Sequence, residues 1–171
     1  WYHGWSFERN DNFAEAFWAR GNCWFTIAAA ELPGLIELEE WESDLILGAY
    51  HMQASALCRY QSPEGLWHTL VDREDSYLEV SGSSGFAYGL LKGVREGLLP
   101  PACREAALRA AQAVYSHIGP DGLVQQVSYG TIVADTLEYY KHVPLRPTGY
   151  GQNLALMMLV ELLIWDAQGL L

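Results

Sequence analysis

The stretch EAFWARGNCW, residues 15–24, sets Arg20 between two indoles, Trp18 and Trp24. An exposed indole and an unpaired buried guanidinium are both costly, so the three side chains call for one explanation. One reading is recognition. A guanidinium makes charge-assisted, forked contacts to carboxylates and hydroxyls, and indoles stack on flat or ring-shaped ligands. The other reading is structural, with Arg20 paired to a nearby acid such as Glu15 and Trp18 packed in a core. Further along, DREDSYLEVSGSS gathers Asp72, Asp75 and Glu79, three carboxyls able to move protons. We read them as loop-pinning groups, with Ser81, Ser83 or Ser84 capping the helix that follows. Gly130, Thr131 and Asp135 are likewise read as loop-shaping.

Other chemistries find little support. The five histidines are far apart and no H-E-x-x-H occurs, so no metal or other cofactor is expected. The three cysteines, Cys23, Cys58 and Cys103, form no C-x-x-C and argue against a disulfide scaffold or a thiolate zinc site. They fit a reducing, cytoplasmic setting. GFAYG is no phosphate loop, and SGSSG lacks the preceding strand that a nucleophile elbow needs. A net charge of -11 argues against nucleic acid. No apolar run of membrane-spanning length is free of polar breaks; the closest, QNLALMMLVELLIW, is interrupted by Glu161. Seven Trp and ten Tyr predict a large core, a stacking surface, or both.

The elements that position these residues are helical. WESDLILGAYHMQASALCRY places Trp41, Leu45, Ala49, Met52 and Ala56 on one face, and ACREAALRAAQAVYSHI does the same with Cys103, Ala107, Ala111, Val114 and Ile118. Both read as outer helices with one wet face. The acidic run ELEEWESD suits the start of the first of them. GNCWFTIAAAEL, SSGFAYGLLKGV and YGQNLALMMLVELLIW are apolar nearly all round, which predicts inner helices buried on more than one side. Gly and Ala near their starts allow close approach.

The connecting loops repeat. Pro63-Glu64-Gly65-Leu66 returns as Pro120-Asp121-Gly122-Leu123, each a turn signal followed by an extended stretch, a polar loop and an inner helix. Units of about sixty residues, each a helix hairpin with a decorated loop, point to a helical toroid or solenoid. The decorated loops then gather on one face with the N-termini of the inner helices, where free N–H groups suit anions and hydroxyls. We expect one domain over 1–171. The chain begins at Trp1 with no basic, apolar leader, which predicts a segment of a longer protein.

FWARGNCW, DREDSYLEVSGSSGFAYGLLKGVREG, DGLVQQVSYGT and TGYGQNLALMMLVELL together resemble the C-terminal half of glycoside hydrolase family 105, the unsaturated rhamnogalacturonyl hydrolases. The related family 88, unsaturated glucuronyl hydrolases, shares the architecture. The resemblance implies an all-α (α/α)6 toroid, of which this chain supplies about three helix hairpins. It implies removal of a 4,5-unsaturated uronic acid from oligosaccharides. In that reaction an aspartic acid protonates the enol-ether double bond, water adds at the adjacent carbon, and the hemiketal opens. The acid is expected before Trp1, which makes the isolated chain inactive.

For this sequence the resemblance implies a substrate-contacting His3 and a substrate-binding loop from Arg20 through Gly21 and Asn22 to Trp24. It also gives Trp67 as a subsite wall, with Thr148 and Tyr150 against the linked sugar. Trp5 either stacks on sugar or packs. Cys23, where glycine is usual, and LRPTGYGQN depart from the family pattern. The partners implied are an unsaturated uronyl oligosaccharide and either a missing N-terminal half or a second copy. Two other readings stay open: a sugar epimerase on the same toroid, which the scattered histidines disfavour, and a non-catalytic carbohydrate-binding or scaffold module.

Overall fold

A computed structural model describes all residues, Trp1–Leu171. In chain order the elements are α1 (Ala19–Leu35), α2 (Glu40–Tyr60), β1 (Trp67–His68), β2 (Leu78–Glu79), α3 (Val80–Arg95), α4 (Cys103–Ser116), α5 (Leu137–Lys141) and α6 (Gly149–Ala167). The only sheet is the two-residue antiparallel pairing of β1 with β2. Helices α1, α3 and α6 pack side by side as an inner layer, and α2 and α4 lie behind them. The alternation of inner and outer helices thus holds. Two pairs are complete, and α6 is the inner helix of a third.

The acidic run does start α2. Glu39 and Glu42 form a capping box, each carboxylate taking an N–H from the other's end of the first turn. The repeated turns superimpose down to single hydrogen bonds. Gly65 N–H donates to Ser62 O and Ser62 N–H to Leu66 O; Gly122 N–H donates to Gly119 O and Gly119 N–H to Leu123 O. Gly65 (φ 91) and Gly122 (φ 79) take the left-handed conformation that only glycine adopts cheaply.

The inner helices approach closely through α3. A Cβ on Gly82 would lie 2.9 Å from Ala19 Cβ, one on Gly85 2.6 Å from Cys23 Sγ, and one on Gly89 2.8 Å from the Thr26 carbonyl oxygen. The groove that these glycines leave is filled by α1. Helix α3 is buried nearly all round. The expectation that every inner helix is so buried needs correcting for α6, whose Leu156, Val160 and Leu163 are exposed. Only α3 is flanked on both sides, by α1 and α6.

The expected contact face of α2 also needs correcting. Trp41, Leu45 and Met52 are exposed, and Tyr50, Ala54 and Leu57 are buried instead. Tyr50 sets this rotation, because its hydroxyl reaches into the inner layer and donates to Gly89 O at 2.6 Å. Helix α4 buries Cys103, Ala107, Ala111 and Val114 as expected. No helix is long and apolar enough to cross a membrane.

Gly89→Ala should destabilise the fold by ~1–3 kcal/mol, because the new methyl meets the Thr26 backbone carbonyl as well as the Thr26 methyl, and the carbonyl does not move aside. Gly48→Ala, in α2 with open space around it, should stabilise by ~0.5–1 kcal/mol. Chemical denaturation of the two variants checks both signs.

Candidate functional site

The loops that precede the three inner helices meet around one buried carboxylate. Glu79 ends β2 and is the N-cap of α3. Its Oε1 accepts from Ser81 N (3.0 Å), Ser81 Oγ (2.7 Å) and Ser128 N (3.0 Å), and its Oε2 from Gly82 N (2.6 Å). The positive end of the α3 dipole favours the charge there. The cap is therefore Glu79 and not one of the serines expected from the sequence. Ser83 Oγ accepts from Trp67 N, and Ser84 Oγ donates to Val80 O.

Arg20 stands against this carboxylate, its Nη1 3.9 Å from Glu79 Oε1. It is only 4% exposed. Nη1 donates to Ser128 Oγ (2.6 Å), Ser128 O (2.7 Å) and Ser81 Oγ (3.1 Å). Nη2 reaches Tyr129 O and Thr131 Oγ1, both at 3.3 Å. The guanidinium carbon lies 4.7 Å from the Trp18 ring centre and 4.4 Å from that of Tyr150. Tyr150 donates its hydroxyl to Ser128 O at 2.7 Å. The acid that partners Arg20 is thus Glu79, not Glu15. Recognition and structure are not exclusive here: Nη1 is committed to the loops, while Nη2 makes the longer, partly exposed contacts.

His3 joins the cluster from the first segment of the chain. Its ring packs on Trp18 at 4.3 Å, and Nδ1 is 2.7 Å from the Tyr140 hydroxyl. Tyr140 Oη also accepts the Ala134 N–H, so the His3–Tyr140 contact is tied to the backbone ahead of α5. Burial, and then the charge of Arg20, hold the His3 pKa below the ordinary histidine value. Both causes favour the neutral ring.

The other residues singled out in the sequence lie in several environments. Residues 20–24 form the first turns of α1 rather than a loop. Gly21 leaves room for the Trp18 indole, which a Cβ would approach to 2.8 Å. Asn22 is buried and spends its Nδ2 on Trp1 O and Trp18 O. Cys23 faces α3, so its bulk bears on helix packing. Trp24, one turn beyond Arg20, is 48% exposed. Trp5 is exposed edge-on to Phe7. Thr148 caps α6 through Gly151 N.

Trp67 must be withdrawn as a subsite wall. It is fully buried, packs on Phe86 and donates its indole N–H to Leu57 O. An aromatic just after the turn looked like a rim residue, but β1 turns it inward. His3, Arg20 and Tyr150 do come together, around Trp18. Asn22 instead helps line a cavity of about 310 Å³ with Trp1, Met52, Tyr60 and Asp72.

Two participants had escaped the sequence reading. Ser128 follows the second Pro-x-Gly-Leu turn, and that repeat could have flagged it. Tyr140 sits on the short α5, which carried no periodic signal. No three His, Cys, Asp or Glu side chains converge into a metal-binding group.

Comparison with known proteins agrees with this architecture. A family model described as Glycosyl Hydrolase Family 88 matches residues 1–165. The unsaturated rhamnogalacturonyl hydrolase YesR of Bacillus subtilis is 37% identical over 164 residues, which is 95% of this chain and 46% of that protein. The crystal structure of a possible member of family GH105 from Salmonella enterica superimposes with a TM-score of 0.94 at 40% identity, covering 96% of this chain and 44% of that one. One from Klebsiella pneumoniae gives 0.93 at 38% identity, covering 97% and 44%. The chain spans less than half the length of each of these relatives. Its alternating layers are those of an (α/α)6 toroid. Matched over nearly its whole length, and similar to possible members of GH105, the chain belongs to Glycosyl Hydrolase Family 88.

Proposed function

We propose that this chain is the C-terminal half of the toroidal domain of a glycoside hydrolase that removes a 4,5-unsaturated uronic acid from oligosaccharides, as its similarity to an unsaturated rhamnogalacturonyl hydrolase suggests. The chain contributes substrate contacts. The observation that carries this reading is the stacked guanidinium of Arg20, held between Trp18 and Tyr150 with His3 beside it. A fixed, planar cation beside aromatic rings suits a sugar carboxylate. Nη2 is the edge nearest solvent, and its 3.3 Å contacts are the ones a uronate oxygen would replace. The neutral His3 offers its Nε2 to a hydroxyl, which both donates and accepts. Trp24 offers an exposed indole to a ring face, and Trp5 a second one.

The proton for the enol ether comes from elsewhere in the whole enzyme. That step needs a carboxylic acid that is protonated at working pH and reaches the carbon. The acids near the site do not suit it. Glu79 has four donors on its two oxygens. Asp75 bonds Lys141, which holds its carboxyl below the usual range and so ionised. Asp72 pairs with Arg73 at 3.4 Å. Water addition and hemiketal opening then follow on a substrate that this half orients.

The exposed apolar faces at the two edges fit the same proposal. Trp41, Leu45 and Met52 line one edge, and Leu156, Val160 and Leu163 the other. In a closed ring both edges meet further helices. In the isolated chain they favour association.

Arg20→Ala in the whole enzyme should lower kcat/KM ~10–100-fold, the weight of a charged hydrogen bond. It should also lower stability by ~3 kcal/mol, because Glu79 is left buried without its cation. Arg20→Lys keeps the charge and loses the fork, so it should recover part of the stability and little of the turnover; full recovery of kcat/KM by lysine would refute the stacked, forked contact. The 171-residue chain alone should not consume an unsaturated disaccharide, followed by the enol-ether absorbance, and should scatter light as a dimer or larger. Turnover by this chain would place the acid among Asp72, Asp75 and Glu79, and a stable monomer would contradict the open-edge argument.

A further inference from the structure

The three cysteines play no part in the proposed reaction, and two of them stand together. The end of α2 and the start of α4 are locked in a fixed register. Gln61 Nε2 donates to Ala106 O at 2.8 Å, Arg109 donates to Gln61 Oε1, and Gly65 packs against the Arg109 carbonyl so closely that a Cβ would lie 2.8 Å from it. Three residues before Gln61 stands Cys58, and three residues before Ala106 stands Cys103. The register therefore sets these two side chains opposite each other. Both line one cavity of about 830 Å³ between α2, the α3–α4 connection and the first turn of α4. Both are free thiols, and Cys58 is the more accessible of the two.

We propose that Cys58 and Cys103 form a dithiol site that closes to an intramolecular disulfide by exchange with a low-molecular-weight disulfide. The first step is attack of the Cys58 thiolate on the external disulfide. This forms a mixed disulfide and releases one small thiolate, which takes up a proton. Cys103 then gives its proton to solvent and attacks the Cys58 sulfur, expelling the second small thiol. The protein loses two hydrogens and the external disulfide gains them.

The order of attack follows from the surroundings. The neighbouring Cys103 thiol, together with the charge of Arg109, lowers the pKa of Cys58, while the proximity of Cys58 and burial raise that of Cys103. The thiolate is the nucleophile, so the accessible, stabilised sulfur reacts first and the buried one resolves. Cys23 is the internal control. It is fully buried against α3, and burial pushes its thiol well up. The new bond would join adjacent outer helices without crossing the Arg20–Glu79 cluster, so the site stands or falls independently of the hydrolase reading.

The test uses oxidised glutathione on the native chain in neutral buffer, with intact-mass and peptide-mapping readouts. The expected product has lost two hydrogens, keeps one titratable thiol of three, and yields one cross-linked peptide joining Cys58 to Cys103; reductant restores the mass. Cys103→Ser should stop at one glutathionyl group on Cys58, and Cys58→Ser should stay unmodified. A wild-type chain that keeps three thiols, ends as a stable mixed disulfide, or links through Cys23 overturns the proposal. Because the wild-type result alone decides it, misfolding of either serine variant leaves the test intact.

Discussion

A carboxylate and a guanidinium withdrawn from water must each find nearly all their partners, or the burial is ruinous. Glu79 and Arg20 meet that demand, and the shape of the loop face follows from how they do so. Glu79 takes donors from the first turn of α3 and from Ser128; Arg20 gives donors to Ser81, Ser128, Tyr129 and Thr131. The pair joins the beginnings of α1 and α3 to the loop ahead of α6, segments separated by more than a hundred residues in Arg20–Ser128 alone. A half-satisfied version would be worse than an apolar core. Loops that would otherwise wander are fixed, and so are the rings that stack on Arg20.

The helices make this closure possible by coming near enough. The glycines of α3 bring its backbone against α1, which sets Arg20 within reach of Glu79. The Pro-x-Gly-Leu turns do the same for the outer layer, returning the chain from α2 and from α4 toward the loop face with the same hydrogen bonds. Close packing and polar satisfaction are thus two sides of one arrangement.

Much of this was legible in the sequence, and what was not has physical reasons. Helical periodicity and the doubled turn carry the layer order, because they are local signals that tertiary context rarely reverses. The face of α2 was misread because apolar residues occur on two of its sides. Which side is buried was decided by the single hydroxyl of Tyr50, and periodicity does not register a hydrogen bond. Trp67 was misread because two-residue strands leave no alternation from which to tell inside from outside. For Arg20 the residue was evident and its partner was not. Glu15 is near in sequence, whereas Glu79 is near only after α1 and α3 have packed.

The flanking of α3 on both sides has a consequence for motion. Opening any local unit exposes what it covers, and α3 is covered by α1, α6 and α4 together. Its amide protons should be the last to trade with deuterium in solvent, whereas those of α2 and the outer face of α6 escape first. Folding therefore has a keel: a central stave that holds while the rim breathes, and that keeps the loop cluster assembled through fluctuations at both edges.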